Sequence, residues 1–217
     1  MYKRQIHSIK YDLYVGVSAM LIAVALGVFI GGLSGFFGGK KGEAILVLIQ
    51  TFLTIPALLL ILMFARILSV LVYKGMGLTL IILILGFFGW AGIALIVRGE
   101  ILKIKELEFI QAEKCLGASS FRILFRHIVP NILTPVIVIA TLDIAGFILT
   151  EVVISFLGFG DPNTPTWGLL LQEGFVHART EWWVSLFPGL AVGLTVLGFN
   201  LLGDVLNDAL NPRLREQ

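Results

Sequence analysis

Leu78-Thr-Leu-Ile-Ile-Leu-Ile-Leu-Gly-Phe-Phe-Gly-Trp-Ala-Gly-Ile-Ala-Leu-Ile-Val97 runs for 20 residues without a charged side chain. At about 1.5 Å of rise per residue, a helix of this length matches a hydrocarbon core of roughly 30 Å. Lys74 closes the run on one side and Arg98-Gly99-Glu100 on the other, so charge returns where lipid head groups would begin. The stretch reads as a transmembrane helix.

Four further apolar runs flank it, which predicts an all-α, polytopic membrane protein with spans at 13–37, 44–72, 78–97, 132–157 and 184–202. Composition agrees: 58% of the 217 residues are hydrophobic and 14% are charged, against about 25% charged in ordinary soluble domains. The first run is longer than a signal-peptide core and lacks a small-residue cleavage signal at its Gly38-Gly39-Lys40-Lys41 end, so it reads as a retained span. Pro56 breaks the second run, in which Arg66 is expected to snorkel at the outer face. A net charge of +2, with basic residues at the ends of apolar runs, fits lipid head groups and protein partners and not nucleic acid. The single Cys115 excludes an internal disulfide and reads as a packing residue.

Residues 98–131 differ from the rest. Arg98, Lys103, Lys105, Lys114, Arg122 and Arg126 alternate with Glu100, Glu106, Glu108 and Glu113. Leu107, Ile110, Ala112, Cys115 and Leu116 recur at roughly helical spacing, and Gly117-Ala118-Ser119-Ser120 supplies a stop followed by an N-cap. A helix-turn-helix outside the membrane is expected. Counting Lys and Arg near span ends puts ten on the side of this segment and five on the other, so the segment and the C-terminus are expected in the cytoplasm. Lys3, Arg4 and Lys10 then fall on the outer side, against the rule.

The stretch from Glu108 to Asn131 resembles the EAA loop of binding-protein-dependent ABC importer permeases, whose pattern is E-A-A, three residues, G, nine residues, I-x-L-P. Gln111, Ala112 and Glu113 occupy the E-A-A positions, Gly117 the glycine, and Val129-Pro130 the L-P. Gln111, Glu113 and His127 depart from the family residues. Gly31-Gly32-Leu-Ser-Gly-Phe-Phe-Gly-Gly39, Val97-Arg-Gly-Glu100, Leu149-Thr-Glu-Val-Val-Ile-Ser-Phe-Leu-Gly158, Pro165-Thr-Trp-Gly168, Leu186-Phe-Pro-Gly189 and Asn200-Leu-Leu-Gly-Asp204 with Asp208-Ala-Leu-Asn-Pro-Arg213 are similar to the second permease of dipeptide, oligopeptide and nickel importers. This resemblance implies a type I importer permease fold in the plasma membrane. It further implies a homologous permease partner, cytoplasmic ATPases that hold the ATP and Mg, and an extracytoplasmic solute-binding protein. It assigns motor coupling to Gln111, Ala112, Glu113, Gly117, Ala118, Arg122 and Pro130, with Arg98, Gly99 and Glu100 at the loop root. Family members usually carry one more span ahead of the matched region, so the resemblance implies a chain lacking that first span.

Asp143 and Glu151 lie within an apolar run, where a charge costs roughly 2.5–3.5 kcal/mol on insertion scales, and their spacing of about 80° lets them share a broad face. Pore lining and structural pairing are both open for Asp143; Glu151 is expected at an outer interface or gate. Gln50 and Asn200 are expected in helix-to-helix hydrogen bonds, and Gly27, Gly31 and Gly35 in close packing, inside the subunit or toward the partner permease. Trp167, Trp182 and Trp183 suit a membrane–water interface. His7, His127 and His177 are scattered, so no metal or cofactor is expected in the chain, and no Gly-rich loop ending in Lys-Ser or Lys-Thr is present. Import of peptides, or of nickel by the same mechanism, is the leading reading. An ion-coupled secondary transporter would show inverted repeats or paired broken helices. A membrane scaffold would need no motor-docking loop.

Overall fold

The computed structural model describes residues 2–71, 77–177 and 179–210. Val72 at the end of the second run, Lys74, Arg213 and Arg215 lie outside the described residues. Those described form helices and turns, with no strand among them: α1 (Tyr2–Phe37), α2 (Gly39–Thr54), α3 (Ala57–Leu71), α4 (Gly77–Lys105), α5 (Glu108–Cys115), α6 (Ser120–Ile123), a π-helical segment (Leu124–Ile128), α7 (Val129–Phe156), α8 (Trp167–Val176) and α9 (Trp183–Leu210).

Among the described residues, four stretches are long and apolar enough to cross a membrane, namely Lys3–Phe37, Gly77–Lys105, Ser120–Phe156 and Trp183–Leu210. The second run is instead a pair, α2 and α3, bent by 78° at Ile55-Pro56, as the proline's missing N–H predicts. Counted as one span, the pair brings the total to five.

α1 and α4 make the most extensive helix contact in the fold. Association in lipid gains little from hydrophobicity and depends on close packing, which small residues permit. A Cβ on Gly27 would meet Ile93 at 2.7 Å, one on Gly35 would meet Ile101 at 2.9 Å, and one on Gly31 would collide with the Ala94 backbone. The small-residue face therefore packs inside the subunit. On the other side of α1, Gly16 seats Ile148 of α7. α9 lies against α7 and α8, and most of its outward residues, among them Leu194, Leu197, Leu201 and Val205, remain exposed.

Three details depart from expectation. α8 falls where the sequence predicts interfacial tryptophans and no helix: Thr166 accepts a hydrogen bond from the Leu169 N–H and caps it, and Trp167 is buried among Ile144, Ile148, Val152, Leu170 and Val192 instead of lying at an interface. Trp182 and Trp183 are exposed, in keeping with an interface. Gln50 and Asn200 are exposed and make no side-chain hydrogen bond among the described residues, because their helix faces point away from neighbours.

Gly31→Val should lower the yield of folded subunit in detergent and its melting temperature in fluorescence-detected size-exclusion chromatography. Gly32→Val, whose Cβ meets nothing within 4 Å, should leave both near wild type. Equal effects of the two would remove the glycine face from the packing argument.

Candidate functional site: the loop joining the third and fourth spans, and two buried acids

The charged segment grows out of α4. Apolar patterning stops at Val97, yet the helix continues through Lys105, so Arg98, Gly99, Glu100 and Lys103 stand on its projecting end. Lys103 Nζ contacts Glu100 at 3.3 Å, three residues back. Arg98 is half-buried, and its Nε has no hydrogen-bond partner among the described residues. Lys105 Nζ donates to the carbonyls of Phe36 (2.9 Å) and Gly35 (3.2 Å), capping the C-terminus of α1 and fixing α4 there.

α5 follows and is one amphipathic piece of eight residues. Gly117, at φ +82°, ends it: its N–H bonds the Lys114 carbonyl, and the Ala118 N–H bonds the Glu113 carbonyl. That pair of bonds is the Schellman closure, which requires a left-handed residue. No atom lies within 4 Å of a Cβ placed on Gly117, so its requirement is conformational, not steric. Ser119 then caps α6, accepting from the Arg122 N–H at 3.3 Å. The expected helix, turn and helix are present, but the second helix does not stop. It runs through the π segment into α7, where Pro130, having no N–H, stands in the first turn just after the widened π geometry. Asn131 Nδ2 bonds the His127 carbonyl at 2.6 Å.

Ile110, Ile123 and Ile128 are buried with Val97, Ile101 and Ile104, and Ala118 packs on the same cluster. The remainder of the expected apolar face of α5 is not buried: Leu107, Ala112, Cys115 and Leu116 are exposed, Leu116 to 84%. Cys115 is therefore not a packing residue. Phe109, Phe121 and Phe125 are also exposed, the last two with ring centroids 4.5 Å apart.

The residues that depart from the family pattern contact their surroundings. Gln111 Nε2 donates to the Lys105 carbonyl at 2.9 Å, capping α4. Glu113 Oε1 and His127 Nε2 are 3.6 Å apart, an ion pair when the imidazole carries its proton.

Asp143 and Glu151 do not share a face. Glu151 is fully buried, accepts from Ser155 Oγ at 2.6 Å, and neighbours Asp12 of α1 and Thr166. Asp12, also fully buried, accepts from the Trp167 N–H at 3.2 Å. This clasp joins α1, α7 and the start of α8, so Glu151 lies inside the subunit and not at an exposed gate. Arg4 and Glu173 add a two-pronged bond between α1 and α8, at 3.0 and 3.1 Å. Asp12 escaped sequence reasoning; its one signal was a lone acid at the edge of the first apolar run. Asp143, on another side of α7, lines an open-mouthed cavity of about 230 Å³ between α3, α4 and α7.

Against known proteins, residues 23–216 match the family described as binding-protein-dependent transport system inner membrane component. The chain is 36% identical over 217 residues to the dipeptide transport system permease protein DppC of Bacillus subtilis, covering 99% of this chain and 66% of that protein. It is 35% identical over 208 residues to the oligopeptide transport system permease protein OppC of the same organism (95% and 66%), and 32% identical over 216 residues to the glutathione transport system permease protein GsiD of Pectobacterium atrosepticum (99% and 70%). The chain thus spans about two thirds of the length of these relatives. Its fold matches a chain of the inward-facing MetNI methionine ABC transporter with a TM-score of 0.80 at 18% identity, covering 97% of this chain and 98% of that one. An amino acid ABC transporter superposes with a TM-score of 0.71 at 15% identity (96% and 94%). With four to five candidate spans and helices without strands among the described residues, and a family match over most of its length, this chain belongs to the binding-protein-dependent transport system inner membrane components and is a multi-pass membrane protein.

Proposed function

We propose that the chain is the permease subunit of an ATP-driven importer of short peptides, and that residues 98–131 are the cytoplasmic element through which separate ATPases move it. The observation that carries this reading is the mounting of α5. Ile110 anchors it, its two ends are closed by backbone hydrogen bonds, and it is continuous with two spans through α4 and α6. Leu116, Phe121 and Phe125 meanwhile face outward unpaired with the core. Exposed apolar side chains amid charge mark an interface, and a short helix tied rigidly to two spans turns a push into a tilt.

Gly117 sets the turn, Ser119 and Ala118 seat it, and Gln111, Ala112, Glu113 and Arg122 present the docking side. Pro130 marks the entry to α7, and Arg98, Gly99 and Glu100 form the root. ATP and Mg are held by the partner ATPases, a homologous permease completes the pathway, and a solute-binding protein delivers substrate from outside. The loop and the C-terminus are cytoplasmic. The names of the relatives, dipeptide, oligopeptide and glutathione permeases, support peptides over nickel as the solute. Asp143 lies on the pathway, whereas the surroundings of Glu151 support a structural role in place of a gate.

Capture of an ATPase subunit from detergent extracts of co-expressing cells should succeed with wild type. It should fail with Gly117→Asp, which strains the left-handed turn, and with Phe121→Glu, which alters only an exposed side chain. Capture retained by both variants would rule out the loop as the dock. A second outcome concerns the Glu113–His127 contact. Glu113→Ala and His127→Ile should each lower peptide-stimulated ATP hydrolysis by about 2- to 5-fold, the worth of a partly exposed ion pair, and the double variant should lose no more than either single one. Additive losses in the double variant would mean that the two residues act separately.

A further inference from the structure

Asp143 stands midway along α7, half-buried, with no hydrogen bond or ion pair among the described residues. The walls of its cavity are Ile61 of α3, Leu85 and Phe88 of α4, and Phe147 one turn on. Gly146 leaves open space where a side chain would stand, Gly89 admits the ring of Phe147, and Thr150 spends its hydroxyl hydrogen on the Gly146 carbonyl at 2.8 Å. Among the described residues of the lining, the carboxylate is thus the side-chain polar group left with bonding capacity. An ionisable group at mid-membrane that has no protein partner marks a place for a charged ligand.

The shape narrows the ligand. At about 230 Å³ the cavity is smaller than a typical whole-ligand pocket of roughly 300–1,000 Å³, so it takes part of a solute. A peptide backbone inside it would leave amide groups without partners against apolar walls, which is costly. A lysine or arginine side chain fits both features, its methylene stem along Ile61, Leu85 and Phe88 and its charge on Asp143.

We propose that Asp143 is a specificity-determining contact on the translocation pathway that receives a cationic side chain of the transported peptide. The proposal rests on the peptide-import reading for its substrate, and on the cavity alone for its chemistry.

The test uses the complete importer, with partner permease, ATPases and binding protein, in proteoliposomes. ATP-driven uptake of trilysine is compared with that of trialanine. Asp143→Asn should lower the trilysine-to-trialanine ratio roughly ten-fold, and Asp143→Glu should restore most of it. An unchanged ratio, or equal loss of both peptides, overturns the assignment and leaves Asp143 as a structural or assembly residue. A second arm needs no transport. In membranes holding the same complex, modification of Asp143 by a hydrophobic carbodiimide, read by mass spectrometry, should be slowed by n-butylguanidinium, a cation that does not act as a coupling amine, and not by butyramide. If wild type imports neither peptide, the peptide reading fails on its own. The labelling arm then decides the cation site, which stands if the cation protects and falls if it does not.

Discussion

The close approach of α1 to α4 is the contact on which the rest of the molecule depends. In water, two apolar helices would be driven together by the surface they hide; in lipid that drive is nearly absent, and contact distance does the work instead. Gly27, Gly31 and Gly35 let the backbone of α1 reach Trp90, Ala94 and Arg98 of α4 over about two turns. α4 is thereby held firmly enough to project beyond its apolar run as far as Lys105, whose ammonium returns to cap α1. The loop is built on that projection, so packing in the membrane positions chemistry outside it.

Within the loop, rigidity comes from polar closure and not from a large core. α5 has eight residues, far too few to be stable as an isolated helix, and one buried anchor, Ile110. Its order is supplied by the Schellman bonds at Gly117, the Ser119 cap, Gln111 on the α4 carbonyl and Glu113 on His127. Gln111, Glu113 and His127 depart from the family pattern, yet here they secure the segment to its neighbours. Glu113 and His127 are 14 residues apart in sequence, and only the turn at Gly117 brings them together.

Much of this was legible from sequence because the bilayer is a strict solvent. A backbone that must satisfy itself inside hydrocarbon has few options, so long apolar runs, Pro56 and the Gly117-to-Ser119 punctuation translate almost directly into helices, a bend and a cap. What escaped depended on tertiary contact. The projection of α4 past Val97 is paid for by Ile101 and Ile104 packing on Ile110 and Ile128, an arrangement that local pattern does not reveal. α8 was hidden because its apolar residues follow a Pro- and Gly-rich stretch, and because Trp167 reads as an interface residue until its burial is seen. The residues proposed for coupling rest on the resemblance, while the exposure of Leu116 and Cys115 and the pairing of Glu113 with His127 needed the fold.

The acids within the spans show how one residue type takes opposite roles. Asp12 and Glu151 are buried more deeply than Asp143, and each is provided with donors, the Trp167 N–H for one and Ser155 Oγ for the other. Their placement at the junction of α1, α7 and α8 ties three elements that apolar contact alone would leave free to slide, since a polar bond in lipid has a fixed register and dispersion does not. Asp143, eight residues before Glu151 on the same helix, is turned far enough around α7 to miss that network and meet an open cavity instead. A carboxylate spent on structure is enclosed and held by at least one donor, although Glu151 Oε2 has no hydrogen-bond partner among the described residues. One that faces space between helices, with methylene-lined walls and no donor, retains its capacity for something that arrives from outside the chain.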